Sequence, residues 1–490
     1  MRIQRTEKII ILLTAVIMTC CSASGQAQPV ISAKISLGTP TQQISPDFSG
    51  LSFEMKTLLP GKNGQYFFRP SNKNLIQVFK TLGIKCLRVG GNTADLAGVP
   101  IPGHRAIDSF FRFARAAHVK VIYTLRLRGK PDPQRDARIA GYIMRHYPRQ
   151  MLCFAIGNEP NLYDRQFGKY RQLWNTYARA ILHKAPNAKF DGPSSTGSGR
   201  WAIDFLQNFG RWPQVILLSQ HTYVGGSAWK VPSPTIGREE LLSAQMFDVY
   251  RRFNRDFGHI AAEYHKPFRL EETNSFYNGG AKNVSDTFAS ALWGLDYMWW
   301  WTTHGCNGLN FHTGNWVAAG PRLTRCRYAV FWTTPRGVDV HPLGYAMEAY
   351  HLAARGKVVP VHILAPAGLD LSAYAAATPD GNLYLTIINK THGPGGRNVD
   401  IAIAAGTSYS SAAEMALTAP EHTIAARSGV TLGGASFTSG GKWNGQWHAV
   451  SGRARAGVWH IAAPAASAVI VQLHGKHISQ TAQVLMRSFK

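Results

Sequence analysis

A (β/α)8 TIM barrel of the α/β class, followed by a C-terminal antiparallel β-sandwich domain, is the fold that the sequence predicts. Three observations predict it. Eight short apolar runs lie between about residues 48 and 355, each long enough for one buried strand. Longer amphipathic stretches of helical period separate most of them. From about residue 356 the texture changes to short alternating stretches set apart by turn residues.

The eight runs are 48–53, 84–89, 119–125, 152–156, 189–192, 215–219, 268–272 and 308–312. The helical stretches are 73–82, 106–117, 136–146, 170–185, 202–209, 246–264 and 285–303. An open doubly wound sheet is the competing arrangement. It normally carries a glycine-rich phosphate loop after its first strand, and Val89-Gly90-Gly91-Asn92 lacks that spacing. The barrel is therefore expected over 43–355.

The sandwich is expected over 356–475, with strands at 358–364, 369–375, 383–389, 399–403, 458–461 and 468–473. Pro379-Asp380-Gly381-Asn382 and Gly393-Pro394-Gly395-Gly396 are turn signals between them. Residues 30–37 also alternate, so an N-terminal strand within 28–42 is expected to join the sandwich. Residues 476–490 read as a tail.

The N-terminus reads as a targeting segment. Arg2, Arg5 and Lys8 precede an apolar run at 9–18 that is too short to span a bilayer, and Gly25-Gln26-Ala27 offers a cleavage site. Residues 1–27 are expected to be a cleavable signal peptide, giving a secreted or periplasmic protein. A lipoprotein anchor at Cys20 or Cys21 ranks second, because Ile17-Met18-Thr19 is a poor lipobox. No later stretch is long and apolar enough for a transmembrane span.

Removal of residues 1–27 lowers the formal charge from +26 to +24 by taking Arg2, Arg5, Glu7 and Lys8. Such an excess steers anionic partners. Nucleic acid is not expected, since no zinc finger, RNP motif or basic amphipathic helix is present. An acidic polysaccharide suits a secreted basic protein better. The 13 Trp and 18 Tyr fit sugar-stacking surfaces, although large cores use such rings too.

Cys86, Cys153, Cys306 and Cys326 remain after cleavage, at no metal-ligand spacing. Cys86 and Cys153 fall in strand-like runs and read as buried thiols. Cys306 and Cys326 are the two that an oxidising compartment would allow to pair.

Catalytic groups of such barrels sit at the C-terminal ends of strands, and cleavage of a glycosidic bond needs two carboxyl groups. The fourth run ends in Ala155-Ile156-Gly157-Asn158-Glu159-Pro160-Asn161. Glu159 emerges there because Pro160 cannot extend the ladder, and Asn158 is placed to bond a sugar 2-hydroxyl. The seventh run ends in Leu270-Glu271-Glu272-Thr273-Asn274-Ser275. Adjacent strand residues point to opposite sides, so only one of Glu271 and Glu272 is expected to face the site. Carboxylates after strands four and seven can stand about 5–5.5 Å apart, the spacing of enzymes that retain anomeric configuration.

The stretch Ile156-Gly157-Asn158-Glu159-Pro160-Asn161 resembles the acid/base motif of glycoside hydrolase family 79, the heparanase and β-glucuronidase family. The run from Glu272 to Ala281, Glu-Thr-Asn-Ser-Phe-Tyr-Asn-Gly-Gly-Ala, is similar to its nucleophile motif, and Val284-Ser285-Asp286-Thr287-Phe288-Ala289 resembles the segment that follows. The resemblance extends over nearly the whole mature chain. It implies Glu159 as general acid/base and Glu272, rather than Glu271, as nucleophile. It implies Glu54, in Phe53-Glu54, as a ligand of sugar hydroxyls. It implies substrate contacts for His221 and Tyr223, for Tyr277 and for Tyr328, with Tyr223 bonded to the nucleophile. Arg88 reads either as the cation that keeps Glu272 ionised or as a structural ion pair.

One departure stands out. Bacterial β-glucuronidases of the family carry a glycine-rich segment after the eighth strand, whose N–H groups bind the uronate. Here the segment is Phe311-His312-Thr313-Gly314-Asn315, and Arg327 precedes Tyr328 where a smaller residue is expected. Arg327 would then pair with the substrate carboxylate directly.

The resemblance implies a retaining exo-β-glucuronidase acting on glucuronide oligosaccharides or glycoconjugates, with or without a 4-O-methyl group, and no metal or cofactor. The loop 224–245, with Gly225, Gly226, Pro232 and Pro234, is a candidate for blocking the cleft and enforcing exo action. An endo-acting heparanase- or hyaluronidase-like enzyme is the first alternative. A non-catalytic polysaccharide-binding protein is the second, disfavoured because a binding module has no use for the carboxylate pair.

Overall fold

The computed structural model describes residues 31–197, 199–320, 322–450 and 456–476. The expected signal peptide, and all but residue 476 of the expected tail, lie outside the described residues.

The first strand, β1 (Ile31–Leu37), precedes a closed parallel barrel. Its staves are β2 (Ser49–Glu54), β3 (Cys86–Gly90), β4 (Lys120–Leu125), β5 (Met151–Ile156), β6 (Phe190–Thr196), β7 (Val215–Tyr223), β8 (Phe268–Asn274) and β9 (Gly308–His312). Strand alternation sorts the side chains. Leu51, Phe53, Leu87, Val89, Phe154, Leu218 and Leu270 belong to the main apolar core, while Cys86, Ile122, Cys153, Ala155 and Leu217 form a separate buried cluster.

The surrounding helices are α1 (Lys73–Thr81), α2 (His104–Ala117), α3 (Pro133–His146), α4 (Phe167–Lys184), α5 (Arg200–Phe209), α6 (Pro234–Leu242), α7 (Met246–Glu263) and α8 (Phe288–Thr303). Their starts follow local chemistry: Asn72 caps α1, Asp132 caps α3 with Pro133 at its first turn, and Ser233 caps α6. Helix α8 is buried on nearly all sides, Trp299 and Trp301 included. No described helix is long and apolar enough to cross a membrane.

After β9 come two hairpins, β10 (Trp316–Ala319) with β11 (Arg322–Arg325), and β12 (Phe331–Thr334) with β13 (Gly337–Val340). Helix α9 (Pro342–Ala353) then packs on α8. Neither the hairpins nor α9 was expected from the sequence. The hairpin strands are too short for a clear alternation, and α9 lacks one polar face because nearly all of it is buried.

Two antiparallel-rich sheets follow, built from β14 (Lys357–Val359), β15 (Val361–Leu364), β16 (Leu371–Ala377), β17 (Leu383–Asn389), β18 (Val399–Ala404), β19 (Tyr409–Thr418), β20 (Thr431–Leu432), β21 (His448–Ala449), β22 (Val458–Ala463) and β23 (Ser467–Gly475). One sheet runs β15-β1-β18-β22. The other runs β14-β16-β17-β23-β19-β20, with β21 also on β19. Strand β1 is antiparallel to β15 and parallel to β18, so chain from before the barrel is paired with chain from after it. The expected strand at 358–364 is two strands broken at Pro360, which has no N–H for the ladder. Residues 409–418, not expected as a strand, form the longest one in the sheets.

The barrel is tied to these sheets by a buried charge cluster. Lys390 Nζ lies 3.0 Å from Asp296 of α8 and 3.0 Å from Asp370, and Tyr374 and Ser372 also donate to Asp296. Cys86, Cys153, Cys306 and Cys326 are all buried free thiols, so the open pairing of Cys306 with Cys326 is not made.

Candidate active site

Strand β5 ends at Ile156, and Gly157 turns the chain with φ 87°. Glu159 itself takes a left-handed φ of 49°, a conformation a glutamate adopts only when its surroundings hold it there. Its N–H donates to the Ser194 carbonyl at 2.9 Å, and Pro160 opens a single helical turn. This fixes the Glu159 carboxyl over the C-terminal end of the barrel.

Strand β8 breaks the alternation that the sequence suggested. The β7–β8 pairing steps from Gln220↔Leu270 to His221↔Glu272 and skips Glu271, a β-bulge. Both glutamates are buried, yet only Glu272 lines the cavity. Glu271 lies beneath it, so the expectation of one carboxylate facing the site holds for a reason other than parity.

The cavity has a volume of about 770 Å³. Glu54, Asn158, Glu159, Tyr223, Glu272, Tyr277 and Tyr328 all line it, drawn from positions 274 residues apart at most in sequence. One ligand oxygen each of Glu159 and Glu272 lie within 4.8 Å of each other.

Arg88 organises the floor and is fully buried. Its Nη1 donates to Glu272 Oε2 and, at 3.1 Å, to Ser52 Oγ; its Nη2 donates to Asn158 Oδ1 at 2.7 Å. Gly90 makes room for this guanidinium, since a Cβ there would collide with Arg88 Cζ. Arg88 forms an ion pair with Glu272, a contact that both readings of this arginine contain. The Tyr223 hydroxyl donates to Glu272 Oε1 at 2.9 Å. Burial alone would raise the Glu272 carboxyl, but His312, His221, Arg88 and the Tyr223 hydroxyl outweigh it and bring it down to about 2.

Glu54 is tightly held. Thr93 donates to Oε2 through its N–H at 2.9 Å and its hydroxyl at 2.6 Å, and the Ala318 N–H donates to Oε1 at 2.8 Å. Burial opposes its ionisation, while His312 and Thr93 prevail and lower it. Through Ala318 the β10–β11 hairpin is pinned against Glu54, and Ala318 and Gly320 close that end of the cavity. Residues 224–245 do not line the cavity among the described residues, which corrects the expectation that this loop blocks it. It contains α6 instead, and its start braces Tyr277: Tyr277 N–H donates to the Gly226 carbonyl and Ala228 N–H to the Tyr277 carbonyl. Tyr277 stays 43 % exposed at the mouth.

Two further expectations are corrected. His221 was expected to touch substrate, but it is fully buried and does not line the cavity. It bridges carboxylates, with Nδ1 at 3.0 Å from Glu159 Oε1 and Nε2 at 3.2 Å from Glu271 Oε1. Arg327 was expected to reach a substrate carboxylate, but it too is absent from the wall. Its backbone N–H donates to the Gly279 carbonyl instead.

Sequence reasoning missed His312, Asp95, Asn92, Arg128 and Tyr163, all of which line the cavity. His312 was visible in the run after the eighth strand, and its Nδ1 stands 3.7 Å from Glu272 Oε2. Asp95 carried no motif. It accepts N–H bonds from Leu127, Arg128 and Asn158 and the Tyr163 hydroxyl, tying the loops after β3, β4 and β5 together. Arg128 lies over the Tyr163 ring, 4.9 Å from its centroid.

Glu159, His221 and Glu272 each offer a metal-ligand atom within 4.8 Å of the others. The Arg88 guanidinium already holds Glu272 and stands 3.4 Å from His221 Nε2, so its charge opposes a cation there. What the arrangement offers is an ionised carboxylate on Glu272 within 4.8 Å of the Glu159 carboxyl.

No family model matches the chain. It is 26% identical over 275 residues to a β-glucuronidase of Aspergillus niger, covering 49% of this chain and 48% of that protein. It is 25% identical over 208 residues to the heparanase of Bos taurus, covering 39% of this chain and 37% of that protein. The matches thus span about half, or less, of these curated relatives. Among solved structures it is similar to a 4-O-α-L-rhamnosyl-β-D-glucuronidase of Fusarium oxysporum, with TM-score 0.70, 19% identity and coverage of 90% of this chain and 100% of the other. A family 51 arabinofuranosidase of Xanthomonas axonopodis pv. citri gives TM-score 0.66 at 15% identity, covering 91% and 100%. These structures share the barrel fold with its C-terminal sheets.

Proposed function

We propose that the chain, related to glycoside hydrolase family 79 through both its motifs and its curated relatives, is a retaining exo-β-glucuronidase. The observation that carries the reading is the approach of Glu159 and Glu272 to within 4.8 Å, with Glu272 held ionised by Arg88 and Tyr223. The names of the Aspergillus and Fusarium proteins support a glucuronide as substrate.

In the first step Glu272 attacks the anomeric carbon while Glu159 gives a proton to the leaving glycosidic oxygen. In the second, Glu159 takes a proton from water, which attacks the same carbon and releases Glu272. Asn158 accepts from Arg88 through its Oδ1 and donates one NH2 proton to Asn92 Oδ1 at 3.4 Å, which leaves its second NH2 proton for the 2-hydroxyl. Glu54 and Tyr328 flank the sugar on the β2 and β9 side. The hairpin pinned to Glu54 supports exo action, because it walls the cavity where a longer chain would continue. The reaction as written needs carboxylates alone. Secretion by a cleaved signal peptide is part of the proposal, resting on residues 1–27 of the sequence.

The test is hydrolysis of an aryl β-D-glucuronide by the wild type and by Glu272→Gln, with the aryl β-D-glucoside alongside. Turnover of the glucuronide alone, lost in the variant, supports the reading. Turnover of only the glucoside overturns the uronate specificity. Inactivity on both, with cleavage of heparan- or hyaluronan-type polymer, replaces exo by endo action. Binding of such polymers without cleavage identifies the non-catalytic alternative.

A further inference from the structure

Beneath the cavity lies a group of charges that the mechanism above does not use. Glu271 is fully buried on β8, and Asp191 is fully buried on β6. The two carboxyls adjoin, close enough for each to act on the other's titration. Both Asp191 oxygens and Glu271 Oε2 have no donor among the described residues. Three buried acceptor atoms without a donor are costly unless a proton lies between the two groups. One shared proton serves two of them, one on each residue, and the Cys153 thiol, which adjoins Asp191, is the donor at hand for the third. The shared proton also removes the repulsion of two buried like charges.

The other oxygen of Glu271 faces Nε2 of His221 at 3.2 Å, and Nδ1 of the same ring faces Oε1 of Glu159 at 3.0 Å. A neutral imidazole has one N–H and could donate to one carboxylate only; an imidazolium donates to both. The remaining charged and titratable neighbours are few. Arg88 of β3 approaches His221 Nε2 at 3.4 Å, Glu272 adjoins on β8, Cys153 of β5 contacts Asp191, and Tyr170 of α4 lies nearby.

Resting on the proposed function, we propose that Glu271, sharing one proton with Asp191, is a positioning residue that holds His221 as the imidazolium serving Glu159. His221 donates Nε2–H to Glu271 and Nδ1–H to Oε1 of Glu159. When the proton on the other Glu159 oxygen passes to the leaving oxygen and the C–O bond breaks, the new Glu159 carboxylate is stabilised by the Nδ1–H already aimed at it. Water returns that proton to Glu159 in the second step, and His221 keeps both of its own throughout. The direction of the charge balance agrees. Burial lowers His221, but Glu272, Glu159 and Glu271 raise it to about 9. Burial and the charge of Glu271 push Asp191 well above the ordinary carboxylate range.

The experiment is the pH profile of kcat/KM on an aryl β-D-glucuronide for wild type, Glu271→Gln and Asp191→Asn. Gln keeps an acceptor for His221 but removes the charge, so the alkaline limb moves down by about 1–2 pH units, with KM little changed. Asn replaces a group already neutral, so Asp191→Asn leaves the limb in place. An unshifted limb in Glu271→Gln overturns the proposal, as does an equal shift in Asp191→Asn. Should neither variant fold, 15N NMR of histidine-labelled wild type decides. Both His221 nitrogens protonated at pH 7.5 support the proposal, and a neutral tautomer overturns it. A wild type inactive on every glucuronide would count against the proposed function, and the NMR result would still stand or fall by itself.

Discussion

The Tyr223 hydroxyl and the Arg88 guanidinium grip opposite oxygens of one carboxylate: Tyr223 donates to Oε1 of Glu272 at 2.9 Å, and Arg88 holds Oε2. In the proposed reaction Tyr223 leaves one lone pair of Oε1 for the anomeric carbon while damping its basicity. Tyr223→Phe should lower kcat/KM on an aryl β-D-glucuronide by about 10- to 100-fold, the worth of one hydrogen bond to a charged group. The acid limb of the profile should rise in pH, because Tyr223 helps to keep Glu272 low. Steady-state kinetics across pH check both.

Arg88→Lys should fail to substitute. A lysine places one ammonium where the planar fork now serves Ser52, Glu272 and Asn158 together. The expected loss is about 100-fold or more in kcat/KM, with a lowered Tm because a fully buried partner of Glu272 is gone. Kinetics and thermal denaturation on the same preparation separate the two effects.

Lys390→Met breaks the buried clamp between α8 and the C-terminal sheets, leaving Asp296 and Asp370 without their cation. Removing one member of a buried pair costs about 3–5 kcal/mol. Denaturant unfolding should report that loss, while kcat/KM at 25 °C stays within about twofold of wild type, since the clamp touches nothing in the cavity.

Glu348 on α9 gives a pH-dependent prediction. It is 3 % exposed, its Oε2 has no partner among the described residues, and burial raises it from 4.5 to about 8. The folded state holds this proton more tightly than the unfolded chain does. Stability therefore falls as pH rises from about 4.5 through about 8, by on the order of 5 kcal/mol. Glu348→Gln should raise the Tm at pH 9 and leave it nearly unchanged at pH 4. Equal shifts at both pH values would remove titration as the cause.

The barrel was legible because most of its strands are short apolar runs separated by amphipathic helices; β6, Phe-Asp-Gly-Pro-Ser-Ser-Thr, shares only its first three residues with the expected run at 189–192. The run at 308–312 coincides with β9, and that at 152–156 differs from β5 by one residue. Glu159 was legible because Pro160 and the strand end fix where its carboxyl emerges, whereas the choice of Glu272 over Glu271 came from the resemblance of its motif and not from the strand. The rest depended on contacts far apart in sequence. Asp95 bonds the backbone of Asn158 across 63 residues, and no local pattern announces that. The bulge that turns Glu272 into the cavity exists only in the pairing of β8 with its neighbours. His221 lies two residues before Tyr223, so alternation sends both to the same side and says nothing of their depth. In the structure Tyr223 meets the cavity and His221 goes beneath it. Helix α9 was missed because a helix buried on nearly all faces shows no amphipathic period.

Under the proposed function Glu159 and Glu272 act by double displacement on a β-glucuronide, and proton NMR of the glucuronic acid first released from an aryl β-D-glucuronide decides it. The β-anomer should appear first and then mutarotate. An α-anomer appearing first would mean inversion and would rule out Glu272 as nucleophile.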